Sequence, residues 1–199
     1  MNKFWPYTVP GISDREFTRA KVPMTKEEIR ALALCRARLA PGQTVWDVGA
    51  GTGSLTVEAA LFTPGGRVYA VEKNADGVEL IHKNCAKFGV EHVEVISGTA
   101  PAALAGLPRP HRVFVGGSGG NLEEILDVCG QKLVDGGIVV LALISPRNLA
   151  CALQRLKAAP FVELEGIHVQ ASRLEKLGQE HFFRATNGVW LLSAKKEAR

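Results

Sequence analysis

No two cysteines of this sequence stand in C-x-x-C spacing: Cys35, Cys85, Cys129 and Cys151 lie far apart, each in or beside an apolar stretch of helical character. That excludes a zinc ribbon and a dithiol redox centre, and it leads us to expect four buried, reduced thiols in a cytoplasmic chain. No apolar run approaches the roughly 20 residues needed to span a bilayer. The start, Met1-Asn2-Lys3-Phe4-Trp5-Pro6, lacks the positive-then-apolar order of a secretory signal. No block of five or more lysines and arginines occurs either; the net charge is +4 and the sequence pI about 9.0, but the basic residues are dispersed. Such an excess favours anionic partners, RNA or a polycarboxylate, without choosing between them. The five histidines (His82, His92, His111, His168, His181) show no metal-ligand spacing, so structural or surface roles and no protein-bound metal are expected.

What is present is the composition of one globular domain: 199 residues, 46% of them apolar and 22% charged. Residues 1–24, with Pro6, Pro10, Gly11 and Pro23, read as an ordered arm, and 25–199 as the domain. Thr25 followed by Glu28 is a capping-box pattern, and Ile29, Leu32, Ala33, Leu34 and Leu39 then give a helix one apolar face before Pro41-Gly42 stops it. Beyond it, strand-like runs at 44–48, 67–71, 93–96, 112–115 and 138–143 alternate with helical stretches at 55–62, 76–88, around Ala102, 122–133 and 148–157. Strict alternation predicts a doubly wound α/β fold with a mostly parallel sheet. Two last runs, 161–169 and 182–193, have no helix between them and predict an antiparallel hairpin that completes seven strands.

The most informative stretch is Val45-Trp46-Asp47-Val48-Gly49-Ala50-Gly51-Thr52-Gly53, which ends the first strand and opens a helix. Glycines at alternate positions allow a sharp turn and close approach of a ligand to the backbone. A dinucleotide site would want G-x-G-x-x-G, and Ser54 stands in place of its third glycine. Asp47, two residues before the loop, disfavours a pyrophosphate but suits a ligand with a sulfonium and an amino group, which S-adenosylmethionine carries. Glu72 ends the second strand, where an acid can accept hydrogen bonds from both ribose hydroxyls. The fourth strand runs into Gly116-Gly117-Ser118-Gly119-Gly120 and then a helix. Free amides there favour carboxylates, which makes these five residues the candidate substrate floor. The Asn/Asp-Pro-Pro-aromatic motif of enzymes that methylate the exocyclic amines of bases is missing at this place, which argues against nitrogen as the nucleophile.

Trp5-Pro6-Tyr7 with Pro10-Gly11-Ile12, then Val22-Pro23-Met24-Thr25, the loop Asp47 to Gly53, and Gly116 to Gly120 together resemble the decarboxylating precorrin methyltransferases of cobalamin synthesis, from Trp5 to about Leu192. The resemblance implies the class I, Rossmann-like methyltransferase fold, S-adenosylmethionine as methyl donor and a cobalt-precorrin as substrate, without nucleic acid or membrane as partner. The implied reaction is methylation at C15 with decarboxylation of the C12 acetate. Cofactor contacts would fall at Thr25, at Gly49, Ala50, Gly51, Thr52 and Gly53, at Glu72 and at Ala100. A homo-tetramer is implied as well. Two positions depart from the pattern. Gly98-Thr99-Ala100-Pro101 stands where Gly-Asp-Ala-Pro is frequent, so Thr99 or the backbone of Ala100 has to receive the adenine; and Asn187-Gly188-Val189 replaces Asn-Pro-Val. The alternatives are a metal-free precorrin substrate, an RNA methyltransferase, and a module that binds S-adenosylmethionine without turnover.

Overall fold

The computed structural model describes residues 4–198; Met1 to Lys3, the first residues of the expected arm, and Arg199 lie outside the described residues. In chain order the elements are α1 (Glu27–Ala37), β1 (Thr44–Val48), α2 (Ser54–Leu61), β2 (Arg67–Glu72), α3 (Ala75–Phe88), β3 (Val93–Ser97), β4 (Arg112–Val115), α4 (Leu122–Lys132), β5 (Ile138–Leu143), α5 (Pro146–Leu156), β6 (Phe161–Val169), β7 (Ser172–Leu177), β8 (Glu180–Ala185) and β9 (Val189–Lys196). Seven strands form one sheet in the order β3-β2-β1-β4-β5-β9-β6. β1 to β5 are parallel, and β9 runs antiparallel between β5 and β6. The valine-rich central strands are buried on both faces, as a parallel sheet requires. Trp46, Val48, Val113 and Val115 pack under α4 and α5. Val45, Val68, Phe114 and Val140 face the side covered by α1, α2 and α3.

Three expectations are corrected. Thr25 does not cap α1: the cap position is Lys26, which makes no side-chain cap bond. Instead Asp14 of the arm accepts the Glu27 N–H (3.0 Å), and Glu28 turns away to chelate Arg173 (2.8 and 2.7 Å). The expected strand 182–193 is two strands: its first part pairs with β7 in a separate two-stranded ribbon, and only β9 joins the sheet. The four thiols are all free, but Cys35 is exposed and Cys151 half-buried. Burial pushes the Cys85 and Cys129 thiols up to about 12, so those two are inert.

The arm folds onto its own chain: Ile12 and Phe17 are buried, Phe17 stacks on Phe88 with ring centroids 5.0 Å apart, and Asn84 of α3 clamps Thr18 through its N–H (2.8 Å) and carbonyl (3.1 Å). Gly188, where the resembled family often has proline, abuts the His168 ring, so a Cβ there would stand 2.9 Å from Cε1. His111 accepts the Thr44 N–H at 3.0 Å and His92 bonds the Ala60 carbonyl at 2.9 Å. Both are structural contacts. No helix of the described residues is long and apolar enough to cross a membrane.

Candidate active site

The strand order reverses between β1 and β4, and the crevice above their carboxyl ends is where open α/β sheets bind ligands. Register brings the two glycine loops together there. Val48 pairs with Val71 on one side and Val115 on the other. One residue on, the N–H groups of Gly49 and Ala50 donate to the Val71 carbonyl (2.9 and 3.1 Å), while those of Gly116 and Gly117 donate to the Val48 carbonyl (3.0 and 3.3 Å). Gly49 has a φ of 74°, and a Cβ on it would lie 2.6 Å from Gly117 Cα. The loops therefore meet backbone to backbone. Gly51 (φ 57°) sits as close to the arm, since its Cβ would lie 2.7 Å from the Pro23 carbonyl oxygen.

Glu72 is nearly buried, and its carboxylate accepts the N–H of Gly51 (2.8 Å) and of Asn74 (2.8 Å). Gly77 leaves the space for it: a Cβ there would stand 2.7 Å from Glu72 Cγ. Each carboxylate oxygen keeps a second acceptor position. On the far side Asn121 Nδ2 donates to the Ala100 carbonyl (3.1 Å), tying the loop after β4 to the loop after β3.

These elements enclose a cleft of about 430 Å³, within the usual range of small-molecule sites. Of the residues expected from sequence, Thr25, Gly49, Ala50, Gly51, Glu72, Thr99, Ala100, Gly116, Gly117, Ser118 and Gly119 line it. Asp47, Thr52, Gly53 and Gly120 are not among the lining residues. Thr52 is buried, and its carbonyl accepts Asn84 Nδ2–H at 2.8 Å. Gly53 lets α2 approach α3, as a Cβ would lie 3.0 Å from Ile81 Cα. Sequence reasoning missed Val22, Pro23, Lys73, Asn74 and Ile144 on the cleft wall. The rule that ligands sit beyond the carboxyl ends of parallel strands pointed to the last three. Two arginines of the ribbon are taken up by carboxylates: Arg173 is paired with Asp14 (2.8 Å) and Glu28 (2.7 Å), and Arg184 with Glu175 (2.8 Å).

Asp47 stands behind the loop, on the α2 side of β1, where Thr56 Oγ1–H donates to its Oδ2 at 2.5 Å. Burial, aided by the charge of Glu72, pushes its carboxyl from 3.8 up to about 6, against the pull of the Thr56 bond. A raised folded-state value means the native chain holds the proton longer than the unfolded one does. The stabilisation is complete below pH 3.8 and is lost as pH rises through about 6. Asp47→Asn keeps an acceptor for Thr56 and removes the titration. Its melting temperature is expected to gain on that of the parent between pH 4 and 7, reaching an advantage on the order of 2–3 kcal/mol at pH 8. A constant difference across a pH series of thermal unfolding curves would refute this account.

The cleft fits S-adenosylmethionine. Its glycine floor admits a ligand against the backbone. Two acids, Glu72 at the wall and Asp47 behind it, give a field that favours a cation and disfavours a pyrophosphate. A sheet of this order with an antiparallel penultimate strand, glycine loops at the switch point and an acid ending β2 defines a class I methyltransferase. Residues 16–196 match the precorrin methyltransferase domain family, to which the chain belongs. It is 43% identical over 193 residues, 96% of this chain and 98% of the relative, to the "probable cobalt-precorrin-6B C(15)-methyltransferase (decarboxylating)" of Pyrobaculum aerophilum. It is 37% identical over 187 residues (94% and 96%) to the cobalt-precorrin-6B C(15)-methyltransferase (decarboxylating) of Salmonella typhimurium. The crystal structure of precorrin-6y C5,15-methyltransferase from Geobacter metallireducens superposes with a TM-score of 0.89 at 37% identity, covering 96% of this chain and all of that one.

Proposed function

We propose that the chain transfers a methyl group from S-adenosylmethionine to C15 of cobalt-precorrin-6B, with loss of the C12 acetate carboxyl as carbon dioxide, to give cobalt-precorrin-7 in cobalamin synthesis. The observation that carries this reading is the near full-length likeness to the Salmonella typhimurium methyltransferase of that name. When bound, S-adenosylmethionine supplies an electrophilic methyl group on a sulfonium sulfur. Gly49, Ala50 and Gly51 seat it, Glu72 receives its ribose, and Thr99 with Ala100 borders its adenine. Thr25, directly after the arm, closes the site beside Val22 and Pro23. Asp47 acts on the cation through its field, so cofactor affinity rises with pH through about 6. Among the described residues the titratable side chains on the cleft wall are Glu72 and Lys73, and Glu72 is held by two amides. Catalysis therefore rests on holding an electron-rich carbon in line with the methyl group and keeping water out, not on a strong base. Gly116 to Gly120 form the substrate floor.

Anaerobic incubation with S-adenosylmethionine and cobalt-precorrin-6B, with the metal-free precorrin in parallel, tests this by mass spectrometry. Gain of one methyl with loss of one carbon dioxide is expected, and the parallel decides the metal state. Unchanged mass in both rejects the reading.

Assembly as a cytoplasmic homo-tetramer belongs to the same proposal. On the ribbon Leu174 faces Phe183 across the strands, and they are 59% and 71% exposed, beside Leu177 at 70%. Apolar side chains so displayed favour a protein contact. Light scattering is expected to give four chains for the parent and fewer for Phe183→Glu; a single chain in the parent excludes the assembly.

A further inference from the structure

Among the described residues Lys73 is the one cation on the cleft wall, and it has no carboxylate partner among them. It follows Glu72 directly, but whereas Glu72 turns inward to the loop, Lys73 reaches across the mouth towards the loop after β4. A Cβ built on Gly119 would stand 3.3 Å from Lys73 Nζ. Under that ammonium lies a turn with spare donors. Gly116 and Gly117 donate to Val48, and Asn121 to Ser118 (3.0 Å), but the N–H groups of Ser118, Gly119 and Gly120 make no hydrogen bond among the described residues. Gly119 (φ 59°) and Gly120 (φ 100°) both have a left-handed φ, so no side chain shields these amides. Free amides in a turn can donate to an anion, and an ammonium beside them supplies the charge that amides lack.

We propose that Lys73, with the amides of Ser118 to Gly120, is the anchor for one carboxylate side arm of the substrate, and that this arm is retained in the product. The proposal rests on the corrinoid reading above. The retained arm follows from the chemistry. An ammonium beside a carboxylate stabilises its charge, and decarboxylation must remove that charge into the macrocycle, so the arm held by Lys73 is held back from losing carbon dioxide. The arm that is lost is better placed away from cations and from water. On the opposite rim Ile144, which follows β5, presents an apolar side chain and no cation of its own to the cleft.

The test uses the intact protein with Lys73→Met and Lys73→Arg, and two measurements. The first is binding of cobyrinic acid, a corrinoid with free carboxylate arms, which needs no turnover. The second is steady-state kinetics with cobalt-precorrin-6B. Lys73→Met is expected to weaken both the dissociation constant for cobyrinic acid and the KM for the substrate by about three- to tenfold, the effect of one charge-assisted contact partly screened by water. It should flatten their salt dependence, leave kcat and the calorimetric affinity for S-adenosylmethionine within about twofold, and still give fully decarboxylated product. Lys73→Arg should recover most of the loss. Unchanged corrinoid binding overturns the proposal. So does a selective loss of cofactor affinity, which would make Lys73 a cofactor residue, or accumulation of methylated product that keeps its carboxyl group. A parent protein that binds cobyrinic acid through Lys73 but methylates no corrinoid would leave the anchor standing and reject the proposed reaction instead.

Discussion

Arg30→Met is expected to lower the folding stability by about 3–5 kcal/mol, the range for removing one partner of a buried ion pair. Arg30 has no exposed surface, and its guanidinium donates to Glu58, to Asp14 (3.1 Å), and to the carbonyls of Thr25 (2.7 Å) and Ile12. Without it Glu58 is left buried with only the Gly11 N–H (2.8 Å). Burial alone pushes the Asp14 carboxyl up, and Arg30 with Arg173 outweighs it and holds that group below its ordinary range. One guanidinium thus joins the arm, α1 and α2, and through Asp14 it reaches the ribbon. The same cluster fixes Thr25, and the cleft wall at Val22 and Pro23 follows from it. Cofactor affinity should therefore fall along with stability. Arg30→Met/Glu58→Gln is expected to recover part of the stability, because a neutral amide costs less to bury than an unpaired carboxylate. Urea unfolding curves measure both. A double variant no more stable than Arg30→Met would show that the cost lies in the lost carbonyl contacts of the arm and not in the stranded charge of Glu58.

The parts of this molecule that were legible in its sequence are those set by local periodicity. The five parallel strands fall within a residue of their expected bounds, because a buried parallel strand is a short valine-rich run closed by glycine or a charged residue. The glycine loops were legible because glycine at a left-handed position has no substitute. What was not legible depends on residues distant in sequence. Thr25 and Glu28 carry a capping-box spacing, yet Asp14, thirteen residues before Glu27, takes the cap, and Arg173, 145 residues after Glu28, takes the acid. Asp47 reads in the sequence as an acid beside the loop, but the alternation of β1 turns it to the α2 side, behind the wall. The run 182–193 looked continuous because Phe182-Phe183 of β8 and Val189 to Leu192 of β9 are both apolar with no helical stretch between them, and only pairing with β7 separates them. Lys73 carries no motif beyond its place after the end of β2. Its meaning comes from the loop after β4 folding back over β1 to meet it.

Gly49→Ala is expected to abolish cofactor binding while the chain still folds, with kcat/KM reduced by about 100-fold or more, the scale on which a misplacement near 1 Å acts. Two effects act at this position. The left-handed φ of 74° costs an alanine roughly 1–2 kcal/mol anywhere it occurs. In addition the new Cβ would meet backbone, standing 2.6 Å from both Cα and N of Gly117. No side chain can rotate away to relieve that contact, so the two loops must part. Parting them breaks the bonds from Gly116 and Gly117 to the Val48 carbonyl and shifts the cofactor floor relative to the substrate floor, whose alignment is the whole of the proposed catalysis. Gly65 separates the two effects. Its φ is 73°, yet a Cβ there would meet nothing within 4 Å. Gly65→Ala is therefore expected to show the same conformational cost in thermal unfolding and to keep the affinity for S-adenosylmethionine. If calorimetry finds both variants binding alike, the close approach of the loops does not shape the site; if only Gly49→Ala fails, the backbone contact between them is what holds the cleft in register.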